Sequence, residues 1–335
     1  AFSDDPLPVG LPIDDTLMTT RAGQWEEYWR EVSYGRSTLA VTFTPGVVSA
    51  SSSTTYSALG LSALIADASI GARGAGFEPN NFDFVTVMTK NSGHSYAGLA
   101  FVGGRGSHLQ NSFGVRTANH EFGHNLGLVH ANYNYTPHPT DPTSQDPILN
   151  EPESPHNEYG HYYSVQSAQG GSRMDVRAHY SAREKLHIDW LKSTEFADVQ
   201  SSGTYRVNQI DHMDSKGVRG LRIPTGDAAR PHYWINFRTA YATDEWLKNS
   251  AQFDWTRDNY NGDGVLMLDM TPQSNDGPHG RGGSWTNDNN DKQDSGLLIG
   301  RTYYESRSDV YMTPIGKGGA RGPTNGWTCR STSDP

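Results

Sequence analysis

The stretch HEFGHNLGLVH, residues 120–130, sets three histidines, a glutamate and a glycine at fixed intervals. His120 and His124 are four residues apart, so on a helix they share one face, one turn from each other. Both imidazoles can then reach a single ion about 2 Å away. Glu121 follows the first of them, where its carboxylate can meet a water beside the ion without ligating the ion itself. Gly127 is where a third ligand becomes possible. A helix continued past it carries His130 away, whereas a glycine in the left-handed conformation ends the helix and turns the chain back. Three protein ligands leave a fourth position for water, the arrangement of catalytic rather than structural zinc. Two histidines at i, i+4 are ordinary on a helix surface, and HExxH alone arises by chance. HExxHxxGxxH fixes five positions, with a chance match on the order of one in ten thousand chains of this length. Leu126, Leu128 and Val129 add a dry backing.

On the N-terminal side of this stretch, residues 19–32 carry Trp25, Tyr28, Trp29 and Val32 at helical spacing. LAVTFTP, 39–45, reads as a strand stopped by Pro45. Residues 57–77 read as a helix of small residues ending near Gly74 or Gly76, 82–89 as a second strand and 98–104 as a short third. A helix follows from about Val115 to Leu126. After His130, residues 131–160 are dense in Pro, Asn and Asp, and a structureless loop of that length is uncommon unless it has a function. Helical spacing returns at 179–191. From about Gly203 the chain reads as strands and turns: TYRVNQI, GLRIP, HYWINFR, GVLMLDM, GLLIGRTYY, DVYMTPI. The expectation is an α+β protein. Residues 1–198 form a catalytic domain, a twisted sheet plus the helix of the motif, and 199–335 form a small β-sandwich-like domain.

Composition narrows the function. The 335 residues include 36 glycines and only 19% charged residues, which suits a loop-rich globular protein with many short strands. A net charge of −10 argues against nucleic acid as partner, and no apolar run has the length of a membrane span. The single cysteine, Cys329, allows no intrachain disulfide and lies in what reads as a polar tail, a free thiol of no consequence. The chain starts at Ala1, which fits a processed or recombinant mature form lacking any signal or pro-segment, and the expectation is a secreted protein made as a precursor. DNYNGDG (258–264) and TNDNNDKQD (286–294) are rich enough in oxygen ligands to hold calcium, and ordinary turn chemistry explains them equally well.

HEFGHNLGLVH resembles the extended signature of the metzincin zinc endopeptidases. HNLGLVHA and its neighbours look most like the gametolysin family. AGLAFVGGRGSHLQNSF resembles that family's edge strand and the loop before its active-site helix. EYG (158–160) and HYSAREKLHIDWL resemble its later landmarks, and GLRIP, YWINFR and LLIGRTYY its β-rich C-terminal part. The likeness is strong at 115–131 and loose over the rest of 35–315. It implies a metzincin-like catalytic domain with zinc on His120, His124 and His130 and Glu121 as general base. It also implies a polypeptide substrate lying antiparallel along the edge strand Gly98, Leu99, Ala100 and Phe101. The partner expectation is a monomer acting on polypeptide. Metzincins carry a methionine turn beneath the zinc. Here it falls at Met174, with Gln166 as the alternative, because the position read forward from EYG holds glutamine. Tyr163 and Tyr180 are weak candidates for an oxyanion donor and read better as packed aromatics, and His138, His156 and His161 as solvated loop residues. The competing reading is a catalytically weak scaffold that recognises a cell-surface glycoprotein.

Overall fold

The computed structural model describes residues 15–44, 53–90, 94–111, 113–135, 156–159, 161, 163–167, 178–226, 231–238, 265–271, 279–282, 296–297, 300, 302–305, 309–318 and 326–332. The chain is mixed α+β, with few helices and small sheets. It divides into two compact units. The first is Ala1–Glu31, Gly35–Leu128 and Gly170–Val176, and the second is Val32–Tyr34, Val129–Gln169 and Arg177–Pro335.

In the first unit, α1 (Asp15–Val32) presents Met18, Trp25, Tyr28 and Trp29 as a buried stripe at the spacing of one helix face. Helix α2 (Ser53–Gly74) starts earlier than its periodicity suggests and breaks at Gly60, whose φ of 78° no helix accommodates. Three strands follow: β1 (Val85–Thr89), β2 (Gly98–Ala100) and β3 (Gly106–Gln110), in the order β1-β3-β2. β3 runs parallel to β1 and antiparallel to β2. Two expectations are corrected here. Residues 39–44 form no strand, and the Val41 N–H is given instead to the Glu26 carboxylate. GSHLQ, expected as loop, is the central strand, buried along its whole length. Its polar residues hid it, and each has a partner inside. His108 sits between Thr89 Oγ1 (2.7 Å) and Tyr96 Oη (3.1 Å), and Gln110 Nε2 donates to the carbonyls of His94 and Tyr96. These bonds hold the segment that leads into β2.

Helix α3 (Val115–Asn125) carries the motif. Phe122 points away from the histidines and packs edge-on against Trp25 (5.8 Å) and Trp29 (6.3 Å) of α1. Each such aromatic pair adds about 0.5–1.5 kcal/mol beyond its area. At the far end of α3, Asn125 Nδ2 donates to the carbonyls of Phe101 (3.3 Å), Gly104 (2.7 Å) and Gly106 (3.0 Å). Gly103 N–H in turn caps the His124 carbonyl at 2.8 Å. The β2–β3 turn is thereby tied to the helix that carries the motif.

The second unit is built on two sheets. The larger has β4 (Asn132–Tyr135), β5 (His156–Asn157), β6 (Phe196–Asp198), β8 (Gly220–Pro224), β9 (His232–Arg238), β10 (Val265–Thr271), β11 (His279–Gly282) and β12 (Gly296–Leu297). Its order is β5-β4-β11-β10-β9-β8-β6, with β12 on β10. The smaller sheet, β13-β14-β15-β7, comprises β7 (Gly203–Asn208), β13 (Tyr303–Glu305), β14 (Val310–Gly318) and β15 (Gly326–Thr332). Val207 and Met312 from the smaller sheet meet Leu221, Ile223, Tyr233, Ile235 and Phe237 from the larger in one buried cluster. Trp234, alternating with these on β9, turns to the other face and packs with Ala182 and Leu191 around α4 (Ala182–His187). That helix is shorter than the 179–191 expected because Ser181 caps its start, with Glu184 closing the capping box. The supposed polar tail is also corrected. Cys329 lies in β15, opposite Tyr205 of β7 and Pro314 of β14. The expected boundary at 198/199 falls within one strand set, since β4, β5 and β6 share a sheet with β8–β11.

Candidate metal centre

His120 and His124 stand one turn apart on α3, rings crossed at 86° and Nε2 atoms 3.1 Å from each other. Taking one ligand atom from each of His120, His124 and His130, all lie within 4.8 Å of one another. Two nitrogens on a tetrahedral zinc at ~2 Å stand about 3.3 Å apart, so the spacing of the first pair is that of two ligands of one ion.

The proton positions favour the same use. His124 Nδ1 is 2.7 Å from the Leu128 carbonyl, which can only accept, so Nδ1 carries the proton and Nε2 the lone pair. His130 Nδ1 is 2.7 Å from Glu158 Oε1, which likewise makes Nε2 the lone-pair nitrogen of that ring. A nitrogen whose ring partner donates to a carbonyl or carboxylate is the usual metal ligand. The residues present therefore fit an imidazole-loving divalent cation, and identifying it as zinc belongs to the proposal below.

The turn after α3 is what sends His130 in a new direction. Gly127 has φ 93°, its N–H donates to the His124 carbonyl (2.8 Å), and Leu128 N–H donates to that of Gly123 (3.0 Å). This is the paired pattern of a Schellman ending, which needs a left-handed residue at that position. Gly127→Val is expected to weaken the hold of the three histidines on a divalent cation by roughly tenfold or more, since a β-branched side chain at positive φ costs over about 1 kcal/mol. Gly123→Ala, inside the helix, is the control that backbone geometry tolerates. Chelator competition compares them, and equal affinities would mean that the placement of the third histidine does not depend on a glycine turn.

Glu121 is buried, and burial pushes its carboxyl up to about 8. A cation on the neighbouring imidazoles would supply the opposite charge that this carboxylate needs. Its side chain lies against the backbone of Gly98 so closely that a Cβ there would stand 2.7 Å from Glu121 Cγ and Cδ, and nearer still to Oε1. β2 is the edge of its sheet among the described residues. Phe101 N–H donates to Gly106 and Ala97 accepts from Gln110 N–H, so odd positions face β3. The N–H and C=O of Gly98 and Ala100 consequently face the open edge. Leu99, Phe101 and Val102 leave apolar side chains exposed beside it.

Of the remaining candidates, Met174, His138 and both oxygen-rich loops lie outside the described residues. Gln166 is fully buried, and its carbonyl accepts the N–H of Ala131, the residue after the third histidine, at 2.9 Å. Tyr163 and Tyr180 are both buried, Tyr180 edge-on to Trp190. His156 falls in β5. His161, expected in solvent, is buried, with its N–H on the Ala131 carbonyl at 3.2 Å. Sequence reading assigned no role to Glu158, Tyr159 or Asn125. Glu158 is 28 residues from His130, and nothing local to either marks the pair.

No helix among the described residues is long and apolar enough to cross a membrane. Compared with protein-family models, with curated proteins and with solved structures, the chain matches none.

Proposed function

We propose that this chain is a secreted zinc-dependent endopeptidase of metzincin type, similar to the gametolysin family, with a β-sandwich-like C-terminal region. The observation that carries the proposal is the convergence of His120, His124 and His130 to within 4.8 Å, with the buried Glu121 on the same helix. Held by three imidazoles, zinc supplies Lewis acidity and makes water nucleophilic near neutral pH. An extended peptide adds to the open edge of β2, where Gly98 and Ala100 offer two N–H donors and two C=O acceptors. That pairing fixes the substrate main chain and leaves side-chain choice to pockets such as the one Leu99, Phe101 and Val102 would border. Glu121, held against Gly98, sits beside the peptide bond so positioned. It takes the proton of the attacking water and returns it to the leaving amine. The low dielectric of its surroundings strengthens each of these interactions.

The test is metal analysis of the purified protein, with mass spectrometry of peptides from a mixed-protein digest. We expect one zinc per chain, lost in the His120→Ala, His124→Ala, His130→Ala triple variant, and internal cleavage of unfolded protein. Stoichiometric zinc in the triple variant would place the site elsewhere. Zinc without any cleavage would favour a scaffold that binds a glycoprotein.

A further inference from the structure

We infer that Glu158 and Tyr159 form a clamp on His130 that sets the tautomer and plane of its ring, and thereby how tightly the three histidines hold a cation. This rests on taking His120, His124 and His130 as a metal set. The clamp is built by the β4–β5 pair. Tyr133 stands opposite Asn157 and Asn134 opposite His156, and that register continued one step past the end of β5 sets Glu158 opposite Asn132. His130, two residues before Asn132, is then the diagonal neighbour of Glu158 on the same face, within reach of a long side chain. The carboxylate takes the ring Nδ1–H at 2.7 Å.

Tyr159 supplies the second contact. Its ring centroid is 3.6 Å from that of His130, tilted by 35°. To reach there its backbone adopts φ 62°, a left-handed conformation unfavourable for an aromatic residue, and its N–H is held at 3.0 Å by the Asn132 side chain. A strained residue kept in place by a side-chain hydrogen bond, with its ring against a ligand, has a use that a loop tyrosine lacks. Together the acid fixes which nitrogen is protonated and the ring fixes the imidazole plane. His124 has the corresponding fixture in the Leu128 carbonyl.

The experiment uses the full chain, stripped of metal and titrated with zinc against a chelator. Glu158→Ala is expected to bind zinc about 10–100-fold more weakly. Glu158→Gln, whose amide oxygen accepts the same hydrogen bond, recovers most of the loss. Tyr159→Gly suits the left-handed backbone and removes only the ring, so it weakens binding while the metal-free melting temperature holds. Nitrogen NMR of the metal-free parent should find His130 as the Nδ1–H tautomer, and Glu158→Ala should make it a mixture. Zinc held by the parent and held equally well by Glu158→Ala and Tyr159→Gly overturns the clamp and leaves the metal site standing. A parent that takes up no zinc at these histidines overturns both.

Discussion

Glu121→Gln is expected to cut turnover of unfolded casein by about 10²–10⁴-fold while one zinc per chain remains bound. The amide has the shape of the carboxylate and keeps its place in a buried site, so the helix and the ligand spacing are unchanged. What it lacks is a lone pair basic enough to take the proton of water. Its neighbour His120 supplies a ring nitrogen to the candidate metal set; Glu121 itself is not one of the three. Metal content should therefore be indifferent to the substitution, and that indifference separates a base from a ligand. Turnover within a few-fold of the parent would remove Glu121 from the chemistry. Loss of zinc together with activity would mean that the carboxylate holds the ion instead of serving the water.

The parts legible in the sequence are those that local periodicity encodes. The α3 motif declares its helix, its two-histidine face and the glycine that stops it. The stripe of Trp25, Tyr28 and Trp29 declares α1. GSHLQ could not be read as a strand because its polar residues are satisfied by groups distant in sequence, Thr89 and His94–Tyr96, and binary patterning registers only their polarity. The partition of the second unit was hidden for a similar reason. β11 pairs with β4 across more than 140 residues, and no local signal announces which strand will cover which edge. Glu158 belongs to the same class. The sequence shows a glutamate in a turn, and only the β4–β5 register shows that it meets the third histidine.

Gly98→Ala should be a small change for the fold and a large one for the reaction. A single methyl at Gly98 would stand 2.7 Å from Glu121 Cγ and Cδ, distances that no real Cβ keeps, so one side must give way. The backbone of Gly98 is held in register against Leu109 of β3, and the next turn is tied to α3 by Asn125. The Glu121 side chain is the softer partner, free to change rotamer at a cost of order 1 kcal/mol. Stability should fall little, but the group displaced is the proposed base. A displacement near 1 Å at such a group lowers turnover by about 10²-fold, or about 2.7 kcal/mol of transition-state stabilisation. Because Gly98 also faces the open edge of β2, weaker peptide binding could lower activity as well. A double-mutant cycle separates the two. If the methyl acts by moving Glu121, Gly98→Ala should cost little more once Glu121 is glutamine. If it acts on the peptide, the two losses should multiply. Full activity in Gly98→Ala, with zinc bound, would show that Glu121 does not depend on the close approach of this strand.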